Sequence, residues 1–162
     1  MASEKATRIA KSLEREGQKT LQFFESMGEE DWGVQVYSDG DAWTVQILLA
    51  HFTEVEGSIP KLIRRIIGGD PGVPEDFDID RWNARYTMEM STHDRDYLMK
   101  EFAKRRAETV AMVQGFSDAD LEARGRHPFL GPSQVKDMLK LLYVHLQIHQ
   151  RDIREALATA KG

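Results

Sequence analysis

The chain has 162 residues, 30% of them charged, a formal net charge of -5 and no cysteine. Disulfides, thiolate metal clusters and a cysteine nucleophile are thereby excluded, and the acidic balance argues against a nucleic-acid partner, whose phosphates call for a basic face. No polybasic tract suggests an anionic membrane surface, and no apolar run approaches the roughly 20 residues that cross a bilayer. The N-terminus lacks an apolar signal core. A cytoplasmic protein without a membrane partner is therefore expected, built as one domain over residues 1–162. With 41% hydrophobic residues and five prolines, and apolar positions repeating at the helical period, the expected class is all-α.

A first helix is predicted over about residues 3–27. Ala6, Ile9, Ala10, Leu13, Gly17, Leu21, Phe24 and Met27 share one face, with charges opposite. Gly17 either permits a close helix contact or weakens the helix by about 1 kcal/mol relative to Ala. Residues 28–42, including Ser38-Asp-Gly-Asp41, read as a loop. A second helix starts at Trp43-Thr44, with Thr44 as N-cap and Trp43 stapled on Leu48. Its stripe is Leu48, Phe52, Val55, Ile59, Leu62, Ile63 and Ile66. His51 lies between Ile47, Leu48 and Val55 on the helical wheel and points inward. Gly57 and Pro60 imply a kink or local break.

Gly68-Gly-Asp-Pro-Gly-Val-Pro74 ends that helix. The polar insertion 69–90, with a short helix near Asp80–Ala84, is long for a bundle connection and suits a lid or pocket wall. Ser91-Thr-His-Asp94 is a helix-start pattern. It opens a helix over about residues 92–115 that buries Leu98, Phe102, Thr109, Met112 and Phe116, with Arg105 near the stripe. A short turn at Ser117–Leu121 and a loop at Arg126–Pro132 lead to a last helix over about 133–160, capped by Ser133. That helix is apolar on two sides: Val135, Met138, Leu139, Leu142 and Leu146, then Leu141, Val144 and Ile148. Such a helix is either central or covered a second time, as in a homodimer. Four long amphipathic segments make a four-helix bundle with a long connection between helices two and three.

His145 and His149 stand four residues apart, stacked on one helical face with Cβ atoms roughly 5–6 Å apart. That spacing lets two imidazoles reach one metal ion. The pair lacks the glutamate of a zincin motif, and the Glu-x-x-His pairs of a di-iron bundle are missing.

Trp43-Thr-Val-Gln-Ile-Leu-Leu-Ala-His51 resembles the second helix of DinB-family proteins, the DinB/YfiT-like metalloenzymes. His127-Pro-Phe-Leu-Gly131 and His145-x-x-x-His149-Gln resemble their fourth, and Asp80-x-x-Asn83 is similar to a segment before their third. The resemblance covers roughly residues 5–158. It implies an up-down-down-up four-helix bundle, often dimeric, with a divalent ion held by His51, His145 and His149. Characterised relatives include thiol-dependent S-transferases and a maleylpyruvate isomerase that uses mycothiol.

Three neutral imidazoles leave one coordination position for water or substrate. The expected activity is thus a divalent-metal-dependent hydrolase or small-thiol S-transferase acting on a small-molecule substrate. The thiol would have to be a soluble cosubstrate, since the chain has none. Three imidazoles suit Zn, Ni, Fe and Mn alike. The competing reading is a non-catalytic bundle that binds a small molecule or partner, with core histidines bonded to carbonyls.

Four further residues are pocket candidates. Glu54, three residues after His51, would orient a ligand or accept a proton; as a solvated residue it needs no role. Arg105 would meet an anionic substrate, or snorkel to the surface. Trp82 and Gln150 would line the pocket, or pack and cap. His127 before Pro128 reads as structural and His93 as exposed. Asp152 and Glu155 read as helix-face partners of Arg151 and Arg154.

Overall fold

The fold is described from a computed structural model covering residues 2–38 and 42–162. The Asp39–Asp41 part of the expected loop lies outside the described residues. Helix α1 spans Glu4–Glu25. Ser3 caps it, its Oγ accepting from Lys5 N and Ala6 N. Helix α2 spans Val45–Ile67 behind Thr44, whose Oγ1 accepts from Ile47 N at 3.3 Å. Of the kink or local break expected at Gly57 and Pro60, the break does not occur, and α2 runs through both. Its buried stripe, from Val45 and Leu48 to Ile66, holds the helix where a missing proline N–H removes only one bond.

The insertion folds into a longer helix than expected. Helix α3 spans Ile79–Met90, capped by Asp78. Trp82 stabilises it by packing on Tyr86, with ring centroids 4.2 Å apart, and by donating Nε1–H to Glu54 Oε1 of α2 at 3.1 Å. Ser91 closes α3 rather than opening the next helix. Helix α4 spans Arg95–Gln114, and its N-cap is Asp94, which accepts from Tyr97 N at 2.8 Å. Phe116 is buried beyond its end, and Met112 is half-buried. Helix α5 is the short Asp118–Glu122 turn.

The expected loop before the last helix is instead a hairpin, β1 Arg124–His127 and β2 Gly131–Gln134. Ser133 is therefore a strand residue, its Oγ donating to Gly131 O. It does not cap helix α6, Val135–Lys161, whose first amide donates to Ala123 O at 2.9 Å. The preceding connection braces the hairpin, with Arg126 N donating to Pro71 O and Val73 N to Arg126 O. Between them Gly72, at φ 97°, brings its Cα so close that a Cβ would lie 2.4 Å from Arg126 backbone atoms. Only glycine fits that contact.

Helices α1 and α2 each pack on both α4 and α6. Their directions follow from single contacts. Ser3 N donates to Phe116 O, so α1 starts where α4 ends. Arg106 donates to Leu13 O and Leu142 O, and Gln150 to Thr20, so α1 and α6 run parallel. Thr53 meets Leu98, and Glu56 meets Arg106, so α2 and α4 run parallel. The result is the up-down-down-up four-helix bundle. Among the described residues no helix is long and apolar enough to cross a membrane.

The core divides into two apolar clusters, one around Leu13, Ile63, Val113 and Leu139, the other around Phe24, Phe52, Phe102 and Ile153. Between them sits a buried ion pair. Arg106 makes two 2.8 Å bonds to Glu56, and its Nη1 and Nη2 also donate to Leu13 O and Leu142 O. Gly17 resolves as a close contact: a Cβ there would lie 2.8 Å from Arg106 Cγ. Removing one partner of a buried pair strands the other charge at a cost of about 3–5 kcal/mol, whereas an apolar pair of similar volume is near neutral or better. Glu56→Ala is expected to lower unfolding free energy by about that amount. Combining Glu56→Leu with Arg106→Met is expected to recover most of it in denaturant titrations. A double variant as unstable as the single one would contradict this account.

Candidate metal centre

His51 projects from the N-terminal half of α2, and His145 and His149 from successive turns of the antiparallel α6. The α2–α6 packing brings all three rings together. His145 Nε2 lies 3.2 Å from His51 Nε2 and 2.8 Å from His149 Nε2. The three ligand atoms lie within 4.8 Å of one another. Imidazoles bound tetrahedrally at about 2.0–2.1 Å would hold their nitrogens about 3.3 Å apart, so the spacing fits one ion.

The outer nitrogens are held as well. Tyr37 donates its hydroxyl proton to Asp152 Oδ2 at 2.6 Å and meets His149 Nδ1 at 2.6 Å. Having given its one proton to the carboxylate, the hydroxyl accepts from His149 Nδ1–H. That leaves the lone pair of His149 on Nε2. His51 Nδ1 faces Thr87 Oγ1 of α3 at 3.3 Å, which likewise turns Nε2 inward. A single proton on His145 Nε2 could satisfy one neighbour only; a cation satisfies all three lone pairs. Tyr37 reaches the site because residues 34–36 run alongside 43–45, with Val36 N bonded to Trp43 O and Val45 N to Val34 O. Trp43, expected as a staple on Leu48, packs against the apolar cluster that holds Leu48 and also tilts against the His51 ring at 4.8 Å between centroids.

The three rings open on a cavity of about 890 Å³. Its apolar wall comes from α2 (Val55, Ile59), α6 (Met138, Leu141, Leu142, Ile148), α3 (Ile79, Ala84) and the hairpin (Pro128, Phe129). Asp80, Asn83 and His127 also face it.

The sequence matches the DinB superfamily over residues 12–153. The chain belongs to that superfamily. YfiT from Bacillus subtilis, described as a probable metal-dependent hydrolase with an unusual four-helix bundle topology, matches with a TM-score of 0.79 at 16% identity, covering 99% of this chain and 90% of its own. The mycothiol-dependent maleylpyruvate isomerase matches at 0.70 with 14% identity, covering 93% of this chain but 60% of its own. These likenesses establish the fold. No curated protein sequence matches.

In this DinB-superfamily chain the four further candidates lie outside the lining of the cavity. Glu54 is buried and accepts from Trp82, so the two pin α3 to α2 behind the site. Burial raises the pKa of Glu54. Arg105 donates to Glu101 and to Thr53 O on another side of α2. Gln150 is buried against α1, donating to Thr20 Oγ1 at 2.9 Å. The insertion does form a pocket wall, and the second apolar side of α6 also faces the cavity through Leu141 and Ile148.

Tyr37, Thr87 and Asp152 support the histidines without having been anticipated in that role. Asp152 alone carried a signal, three residues after His149 and so on its face. His127, read as structural, is that and more: Nδ1 accepts from Phe129 N at 3.0 Å and Leu130 N at 3.1 Å, while the ring borders the cavity.

Burial lowers the pKa of all four histidines: His145 to about 3, His127 and His149 to about 4, and His51 well below its ordinary value. Neighbouring rings add to the effect on His51 and His145. All four are neutral at pH 7, the form that ligates a metal. Each folded-state pKa lies below the unfolded value of about 6.5, so the unfolded chain takes up protons first as pH falls. For protein stripped of divalent ions, these groups are expected to leave stability flat above about pH 7.5. Below about pH 6.5, stability should drop by up to about 1.4 kcal/mol per pH unit for each histidine. Thermal midpoints that stay level from pH 7.5 to pH 5 would contradict the neutral buried rings.

Proposed function

We propose that this protein is a divalent-metal-dependent enzyme acting on a small, largely apolar substrate, with hydrolysis as the reaction the site supports best. The observation that carries the reading is the convergence of His51, His145 and His149 through Nε2, with separate partners on the outer nitrogens of His51 and His149. An ion held by three imidazoles supplies Lewis-acid chemistry at an open position, lowering the pKa of water there to about 7 or favouring a thiolate.

The chain's own residues do the rest. Tyr37 and Thr87 fix ring orientation, and Asp152 keeps Tyr37 an acceptor toward His149 Nδ1. Burial favours the neutral state of the three rings. The apolar walls lower the local dielectric, which strengthens polar contacts made inside. Small-thiol transfer is the second reading, supported by the likeness to an isomerase described as mycothiol-dependent.

Purification under metal-replete conditions is expected to yield one divalent ion per chain by elemental analysis. His149→Ala should lose the ion while retaining helix content. Tyr37→Phe, which removes the outer partner of one ligand, should weaken binding by about 10- to 100-fold. A panel of small esters and amides, run beside soluble thiols with an electrophile, separates hydrolysis from transfer. A chain that binds no ion under these conditions would instead favour the non-catalytic binding reading.

A further inference from the structure

His127 Nδ1 accepts two backbone N–H groups, so it carries no proton. The neutral ring must then carry its hydrogen on Nε2, as a donor. Among the described residues Nε2 has no hydrogen-bond partner, yet Asp31 Oδ1 is the one enclosed side-chain polar atom that lacks a hydrogen bond. Nε2 therefore reaches open space, and the space the buried His127 borders is the cavity. The hairpin that carries it is fixed by strand pairing and by the Gly72 contact, so the donor is held in place.

The rest of the lining limits what this donor meets. No lysine or arginine lines the cavity among the described residues, and Asp80 does. An anion would enter against a carboxylate without a countercharge from the protein. We infer that the cavity binds an uncharged molecule with an apolar body and a carbonyl-type acceptor, the acceptor taking a hydrogen bond from His127 Nε2–H. The inference takes from the proposed function only the cavity's role as substrate chamber; it does not require the ion.

Two variants separate the ring's two jobs. His127→Asn keeps an acceptor for Phe129 N and Leu130 N but has no donor at the Nε2 position. His127→Gln keeps a donor near the Nε2 position and removes the turn acceptor. Binding of phenylbutanamide, its carboxylate analogue phenylbutanoate, and butylbenzene is measured by ligand-observed NMR, on protein as purified and after chelation. In chelated protein the amide is expected to bind more tightly than the carboxylate. His127→Asn should weaken the amide by about three- to tenfold, the range of one neutral hydrogen bond, and leave butylbenzene unchanged. His127→Gln should retain more of the amide affinity than His127→Asn.

Equal losses for amide and butylbenzene in His127→Asn, no loss for the amide, or carboxylate binding as tight as the amide after chelation would each overturn the inference. Should His127→Asn not fold, long-range proton–nitrogen spectra of the unmutated protein decide. An Nε2–H tautomer whose proton shifts on adding the amide is expected. An Nδ1–H tautomer, or a proton the amide does not move, would overturn it. Failure of the elemental analysis would remove the metal proposal and leave these binding results intact.

Discussion

Three neutral imidazoles gather their Nε2 atoms at one point in the wall of the cavity. Lone pairs facing one another inside a protein are unfavourable unless a proton or a cation lies among them. Much of the local structure answers this constraint. Thr87 and Tyr37 engage the outer nitrogens of His51 and His149, and Asp152 takes the Tyr37 proton so that the hydroxyl can only accept from His149. These supports come from three separate segments: the stretch before α2, the insertion helix, and the next turn of α6. The site is therefore a property of the assembled bundle.

The bundle's topology makes the meeting possible. Because α2 and α6 run antiparallel, the early turns of α2 lie beside the middle of α6, and residue 51 faces residues 145 and 149 across the seam. The parallel partners keep the level of that seam. Arg106 ties α4 to α2, α1 and α6 at one height, through Glu56, Leu13 O and Leu142 O. Gln150 ties α6 to α1 one residue after His149. A charged layer between two apolar clusters is a weak source of net stability. Its geometry instead fixes the axial register of four helices, which is what a three-point site requires.

The residues that were legible in the sequence owe that to local periodicity. The i, i+4 spacing of His145 and His149 and the inward position of His51 follow from 3.6 residues per turn. The long amphipathic stripes gave the helices and their approximate ends. Arg105 and Arg106 show the limit of the same tool. Neighbouring positions differ by about 100° on the wheel; Arg105 was placed near the apolar stripe, while Arg106 is the one buried in the core. Single long-range contacts were not legible. Nothing near Tyr37 announces His149, and nothing near Thr87 announces His51. The hairpin was missed because its bracing comes from Pro71, Gly72 and Val73, more than fifty residues upstream. For the same reason Ser133 looked like a helix cap: with no knowledge of the strand, a serine before an apolar run has no better reading.

The two apolar sides of α6 have overlapping occupations. Val135, Leu139 and Leu146 pack in the core, Leu141 and Ile148 of the second side face the cavity, and Met138 and Leu142 of the first side serve both. The insertion and the hairpin complete the enclosure, and they also bring Thr87 and His127. Wall and polar groups are thus carried on the same two elements, so shifting either element changes the shape of the chamber and the aim of a nitrogen together. This coupling favours recognition of one shape of molecule over a merely greasy fit. An apolar wall by itself discriminates weakly, since a methylene more or less is worth only about 1–3 kcal/mol. A donor aimed into the chamber adds a second criterion of similar size, since a ligand that offers it an acceptor gains a hydrogen bond that a purely apolar one does not. Selectivity in this chamber accordingly combines the fit of an apolar body with the aim of a few polar atoms, and neither suffices alone.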